Sequence, residues 1–299
     1  MGSRPALLAL TGAVAIAFTG VLVRLASVEP ATAAFWRCVY ALPLLGALAL
    51  LERHRHGSLG RRRHALAVVA GLFFAADLEL WHHSIAAVGA GLSTVVANLQ
   101  VVVVGFVAWL VLGERPTPRV LVAVPVALVG IALISGVGFG GAYGDDPALG
   151  VIYGVLTAGA YAGFLLVIRE AGRGLRTPAG IMFDATAACA AALLVIGPAL
   201  GELDLEPQWP AHGWLVTLAI SGQVFGYLAI AASLPRLPAL VASILLLVQP
   251  VLSVMLAAAI VDERPSSAQI AGVVLVVVGI VIATSGGRRE REAAVPAEA

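Results

Sequence analysis

Four ionisable residues interrupt an apolar run, FFAADLELWHHSIAA, at residues 73–87: Asp77, Glu79, His82 and His83. Carboxylates and imidazoles this close together support three kinds of chemistry: proton transfer, metal ligation, or recognition of a charged solute. If the run is helical, advancing ~100° per residue, Asp77, Trp81 and Ser84 fall within about 60° of one another. Glu79, His82 and His83 then fall on the opposite side. The stretch therefore reads as two polar faces. Asp77 with Trp81 and Ser84 is the face expected to meet a solute, and Asp77 is a carboxylate able to carry a proton. Glu79 and His83, four apart, can meet as a structural pair. A metal needs more ligands than these two, so no metal site is assigned.

Other polar residues sit in equally apolar surroundings. Arg37 follows Phe35-Trp36 inside one hydrophobic run and is expected to pair with a carboxylate, either of the protein or of a solute. Asn98 and Gln100 interrupt another run. Gln249 recurs 149 residues after Gln100, so the two amides are expected to face each other. Tyr153, Thr157 and Tyr161 stand at four-residue spacing and form a polar stripe on one helix face. Gln223 is a weaker candidate. The substrate-binding or coupling set is thus Asp77, Trp81, Ser84, Arg37, Trp36, Asn98, Gln100, Tyr153, Thr157, Tyr161, Gln223 and Gln249. Packing between helices is the competing role for each amide and for the stripe.

The elements that must position these residues follow from composition. The chain has 299 residues, 60% hydrophobic and 12% charged. A soluble domain of this size carries about a quarter charged residues, so the chain is expected to be an all-α membrane protein. Net charge is +1, which gives no electrostatic basis for nucleic-acid binding. Cys38 and Cys189 both fall in apolar runs and read as buried free thiols. Ten stretches are long enough to span a bilayer: roughly 6–26, 30–51, 65–87, 91–112, 118–136, 148–168, 178–200, 211–233, 238–261 and 267–285. Prolines 30, 116, 147, 178, 210, 238 and 265 punctuate their boundaries.

Arginine placement sets the expected orientation. Both termini and alternate connections hold 15 of the 18 arginines. The opposite connections are acidic, with Arg264 their one clear arginine. By the positive-inside rule, both termini should be cytoplasmic in a multi-pass plasma (bacterial inner) membrane protein.

The chain also contains a duplication. Residues 111–135, VLGERPTPRVLVAVPVALVGIALIS, align without gaps to 260–284, IVDERPSSAQIAGVVLVVVGIVIAT. The organisation is read as 1–140, a first five-helix repeat; 147–285, a second; and 286–299, a disordered cytoplasmic tail. Five spans per half place the second half upside down, giving ten transmembrane helices in a 5+5 inverted repeat. Such repeats are a signature of secondary transporters, with solute sites near the midplane. Glu-Arg-Pro at 114–116 and 263–265 is read as helix termination rather than as a contact.

Gly113-Glu114-Arg115-Pro116 and Asp262-Glu263-Arg264-Pro265, in this 5+5 frame, resemble the drug/metabolite transporter superfamily, EamA-type. The run Asp77-Leu78-x-Leu80-Trp81-His82-x-Ser84, with Asn98-Leu99-Gln100, is similar to one bacterial branch of it. That resemblance implies an exporter or exchanger of small metabolites, often amino acids or related compounds. That branch usually has a small residue at position 79 and an aromatic at 83. The joint departure here favours a local pair. Expected partners are a small-molecule solute, the lipid bilayer and candidate coupling protons, with no cofactor and no nucleic acid, in a monomer or homodimer. No Gly-x-Ser-x-Gly, His-Glu-x-x-His or phosphate-binding loop occurs. The competing readings are a membrane-embedded enzyme built on Asp77, Glu79, His82 and His83, and a membrane scaffold that transports nothing.

Overall fold

The computed structural model describes residues 3–100, 102–103, 118–134, 142–175, 177–206, 208–233 and 248–284. Every regular element among them is helical. They are α1 (Ser3–Ala17), α2 (Thr19–Ala26), α3 (Pro30–His56), α4 (Arg61–Val88), α5 (Ala90–Ala97), α6 (Pro118–Ile134), α7 (Pro147–Ala171), α8 (Ala179–Leu200) and α9 (Ala211–Leu218). A π-helical segment (Ala219–Gly226), α10 (Tyr227–Ser233), α11 (Val248–Ile260) and α12 (Ser267–Thr284) follow. Among the described residues, six spans are long and apolar enough to cross a membrane, and three shorter apolar helices accompany them. Leu50, Val69, Leu72, Leu121, Val195 and Met255 are exposed around the outside, the surface a bilayer would cover. The middle of the Glu-Arg-Pro repeat at 114–116, the start of the span at 238–261 and the tail lie outside the described residues.

Local chemistry explains the boundaries. Pro30 and Pro147 open α3 and α7, where a missing N–H costs nothing. The Asp146 carboxylate caps α7 by accepting from the Leu149 N–H at 3.0 Å.

Three of the expected continuous spans are interrupted. Between α1 and α2, the Thr19 hydroxyl donates to the Ile16 carbonyl at 2.6 Å. At the end of α5, the Asn98 amide donates to the Thr94 carbonyl at 2.8 Å, while the Thr94 hydroxyl donates to the Ala90 carbonyl at 2.8 Å. Where α9 passes into the π-helical segment, the Ser221 hydroxyl donates back to the Thr217 carbonyl at 2.6 Å. Each side chain takes a carbonyl the helix ladder would otherwise hold alone, which loosens or bends the helix locally.

The helices pair in a pattern that repeats. α3 packs on α8, α5 on α11, α6 on α12, α4 on α7, and α1–α2 on the α9–α10 span. Exchanging each span for the one 148–149 residues away maps that pattern onto itself. The α6–α12 crossing carries the relation to single residues. A methyl on Gly130 would lie 2.7 Å from the Gly272 carbonyl, and a methyl on Gly272 would lie 2.6 Å from that of Gly130. The repeat mates of that pair are Gly279 and Ala123, and a methyl on Gly279 would meet the Ala123 carbonyl at 3.1 Å. Small residues let these helices approach closely. Cys38 and Cys189 also face each other across α3 and α8, buried and free, with sulfurs 3.5 Å apart.

Candidate functional site

The three helix interruptions converge. Thr19, Asn98, Gln100 and Tyr227 border the breaks, and all four line one interior cavity. Irregular backbone at membrane depth is sustained only where it is buried in protein or lines a polar space. The cavity is contracted to ≈ 50 Å³, room for about one or two waters. Arg37, Asp77, Trp81, Thr94, Thr157, Tyr161 and Gln249 complete its polar and aromatic wall. α3 supplies Arg37, α4 supplies Asp77 and Trp81, α7 supplies Thr157 and Tyr161, and α11 supplies Gln249.

Charge is the unusual feature of this wall. Arg37 and Asp77 are both buried, and among the described residues they form no ion pair with each other or with anything else. Arg37 Nε and Nη1 have no hydrogen-bond partner. The guanidinium instead stands 5.9 Å from the centroid of the Trp81 ring, within reach of a cation–π attraction. Gln100 Oε1 and Thr157 Oγ1 are likewise buried and unpartnered. Buried polar groups are normally satisfied, and an unpaired buried charge is costly. The wall thus presents unpartnered donors on Arg37, unpartnered acceptors on Gln100 and Thr157, and the buried Asp77 carboxylate. The Tyr161 and Tyr227 rings meet edge to face with centroids 6.5 Å apart and supply the apolar part.

A second depression of ≈ 650 Å³ opens at the end of the molecule that carries the acidic connections. Val23, Arg24, Ser27, Pro30, His82 and Asp262 are among the residues that line it. His82 and Trp81 are neighbours with ring centroids 5.3 Å apart. His82 lines the depression and Trp81 lines the cavity. His82 is held by its Nδ1, which bonds the Leu78 carbonyl at 2.5 Å.

Several expected residues lie elsewhere, each for a visible reason. Ser84 shares the Asp77 face, but two turns further on, that face packs against α7, and its hydroxyl donates to the Gly150 carbonyl at 2.8 Å. The Trp36 indole donates to the Asp204 carbonyl at 2.9 Å and stacks on Tyr40, away from the cavity. Tyr153 packs its ring against His83, 5.2 Å between centroids. Gln223 donates to Thr186 at 3.2 Å, its carbonyl oxygen buried without a partner.

On the other face of α4, His83 Nδ1 stands 3.5 Å from a Glu79 carboxylate oxygen. The pair is joined by a third residue, Glu202 from the α8–α9 connection, 3.2 Å from His83 Nε2.

The Glu-Arg-Pro at 263–265 does more than end a helix. The Glu263 carboxylate is buried and accepts from the Ala90 N–H at 2.6 Å and the Gly91 N–H at 3.1 Å. It thus caps α5 from the other half of the chain. Gly89, at φ 91°, lies directly beneath it, and a methyl there would sit 2.8 Å from the carboxylate. Burial raises the Glu263 pKa above the ordinary carboxylate value, opposed by the two N–H donors and by Arg24.

Known proteins now place the chain. The model of the EamA-like transporter family matches residues 3–136 and again 148–285, so the chain belongs to that family and carries its unit twice. It is a multi-pass membrane protein of a family of small-solute transporters. A comparison with curated proteins finds no match. One solved crystal structure aligns with TM-score 0.63 and 18% identity, over 97% of this chain and 100% of its own. That likeness is one of fold.

Proposed function

We propose that the protein is a secondary transporter that exports or exchanges small metabolites, amino acids or related zwitterions, by alternating access. One observation carries this reading: Arg37 and Asp77, opposite in charge and unpaired, share one polar cavity. A zwitterion satisfies both at once, its carboxylate on the free guanidinium nitrogens and its ammonium on Asp77. Gln100, Gln249, Asn98 and Thr157 then serve its remaining donors and acceptors. Trp81, Tyr161 and Tyr227 offer apolar surface to a side chain.

The contracted cavity supports the alternating part of the proposal. A space of ≈ 50 Å³ excludes an amino acid, so the helices must move apart to load one. The 5+5 inverted frame supplies the motion, because two halves related by a pseudo-twofold axis can rock about a site between them. The self-mapping of the helix pairs supports that frame. The arginine-rich end is assigned to the cytoplasm of a bacterial inner membrane, with both termini there. Export, and coupling to protons, belong to the same proposal.

The test begins with thermal unfolding of the purified protein against a panel of amino acids, nucleosides and amphipathic cations. A ligand that prefers the folded state raises its unfolding temperature. Zwitterions should do so, and Arg37→Gln and Asp77→Asn should abolish the shift. Counterflow of the same solute in proteoliposomes, with and without an imposed pH gradient, then reads transport and coupling. Stabilisation by no zwitterion, or counterflow indifferent to both substitutions, would overturn the reading.

A further inference from the structure

The cluster on the opposite face of α4 has the composition and spacing of a cation site. We propose that Glu79, His83 and Glu202 bind a divalent transition-metal ion of the zinc class. One ligand atom from each lies within 4.8 Å of the other two. Glu79 and His83 are one helical turn apart on α4, and Glu202 arrives from the α8–α9 connection. Glu202 does not dangle. The Thr32 hydroxyl donates to its carbonyl at 2.7 Å, and its own N–H donates to the Gly197 carbonyl at 3.0 Å.

Three observations favour a cation here. His83 Nδ1 stands 2.9 Å from the backbone carbonyl of Glu79, which takes its proton. His83 Nε2 is then aimed at a carboxylate oxygen of Glu202, 3.2 Å away. With Nε2 unprotonated, two lone pairs face each other there, and a positive centre beside them removes the conflict. Next, Glu79 is only 8% exposed and both its carboxylate oxygens are buried without a hydrogen-bond partner, as is Glu202 Oε2. Two carboxylates that close repel, and a dication relieves the repulsion and satisfies the oxygens together. Finally, ligands about 2.0–2.1 Å from a tetrahedral zinc lie about 3.3 Å apart. The 3.2 Å edge between His83 and Glu202 fits that figure.

The donor set selects the metal. One imidazole with two carboxylates suits zinc and its neighbours, whereas magnesium and calcium take all-oxygen sets. Three protein ligands leave a fourth position for water. Glu79 and His83 lie in the first family unit and Glu202 in the second, so the ion bridges the two halves at the acidic end. The ion site is independent of the transport reading.

The test uses full-length protein without a polyhistidine tag, stripped with chelator and dialysed against zinc chloride. Elemental analysis should find about one zinc per chain, and zinc should raise the unfolding temperature where magnesium does not. His83→Gln and Glu202→Gln should each weaken binding by roughly tenfold or more. Glu202 is on a connection with a partly exposed carboxylate, so its variant should fold even if the His83 variant does not. The exposed His54, His56 and His64 at the other end are the competing zinc ligands, and replacing all three with Gln should leave stoichiometry unchanged. No bound zinc, or zinc retained by Glu202→Gln, would overturn the proposal, as would zinc lost only in the triple variant.

Discussion

The two faces of α4 carry the same kind of residue and use it in opposite ways. On one, Asp77 shares a cavity with Arg37, two unlike charges kept apart. On the other, Glu79 shares a cluster with Glu202 and His83, two like charges held together. Unlike charges would collapse into an ion pair if the backbone allowed it, so their separation leaves room for a guest that carries both signs. Like charges would separate if they could, so their closeness calls for a positive ion. In both places the unsatisfied electrostatics motivate the proposed ligand, and α4 stands between the two.

The comparison breaks most sharply at the cavity. Arg37→Gln or Asp77→Asn should remove zwitterion binding, since truncating one member of a buried charged contact costs roughly 2–5 kcal/mol. Zinc-induced stabilisation should survive both, and Glu202→Gln should do the reverse. Paired thermal-shift titrations with zwitterion and with zinc check both directions. If Asp77→Asn abolishes the zinc response, the two faces are one site.

A third buried carboxylate sharpens the contrast, because it is fully partnered. Glu263→Ala should strand the Ala90 and Gly91 N–H groups and destabilise the fold by about 1–3 kcal/mol. Chemical unfolding in detergent measures this. Ser84→Ala should cost about 1 kcal/mol, through the lost bond to the Gly150 carbonyl, and leave both ligand responses intact. The same unfolding assay shows whether Ser84 is a structural tie between α4 and α7.

The smallest effect is one of pH. The folded-state pKa of Glu263 lies above its unfolded value. Its contribution to stability is therefore most favourable below the unfolded value and is lost as pH rises through the folded one. Glu263→Gln should flatten that segment of the stability profile. An unchanged slope would mean that other groups set it.

Much of this was legible in the residues. Composition and hydrophobic runs point to a membrane protein, and the 149-residue offset reveals two units. The helical period alone separates Asp77 and Trp81 from Glu79 and His83. The same period misleads at Ser84, because a helix face changes neighbour every turn and α7 lies over that one. Trp36 is drawn off by Asp204, which is 168 positions later. Glu202 had no local signal at all: its connection read as one acidic loop among several.

Sequence by itself thus determined what is local or periodic: that the chain is a multi-pass membrane protein, where prolines open helices, that the family unit occurs twice, and that Asp77 and Trp81 take the other side of α4 from Glu79 and His83. Tertiary structure decided what those groups meet. It broke three spans and brought their breaks to one cavity, kept Arg37 and Asp77 unpaired across it, and carried Glu202 to His83 and Glu263 to the start of α5. The last two contacts join residues more than a hundred positions apart. Their distances depend on how whole helices pack, and no pattern along one chain segment records that.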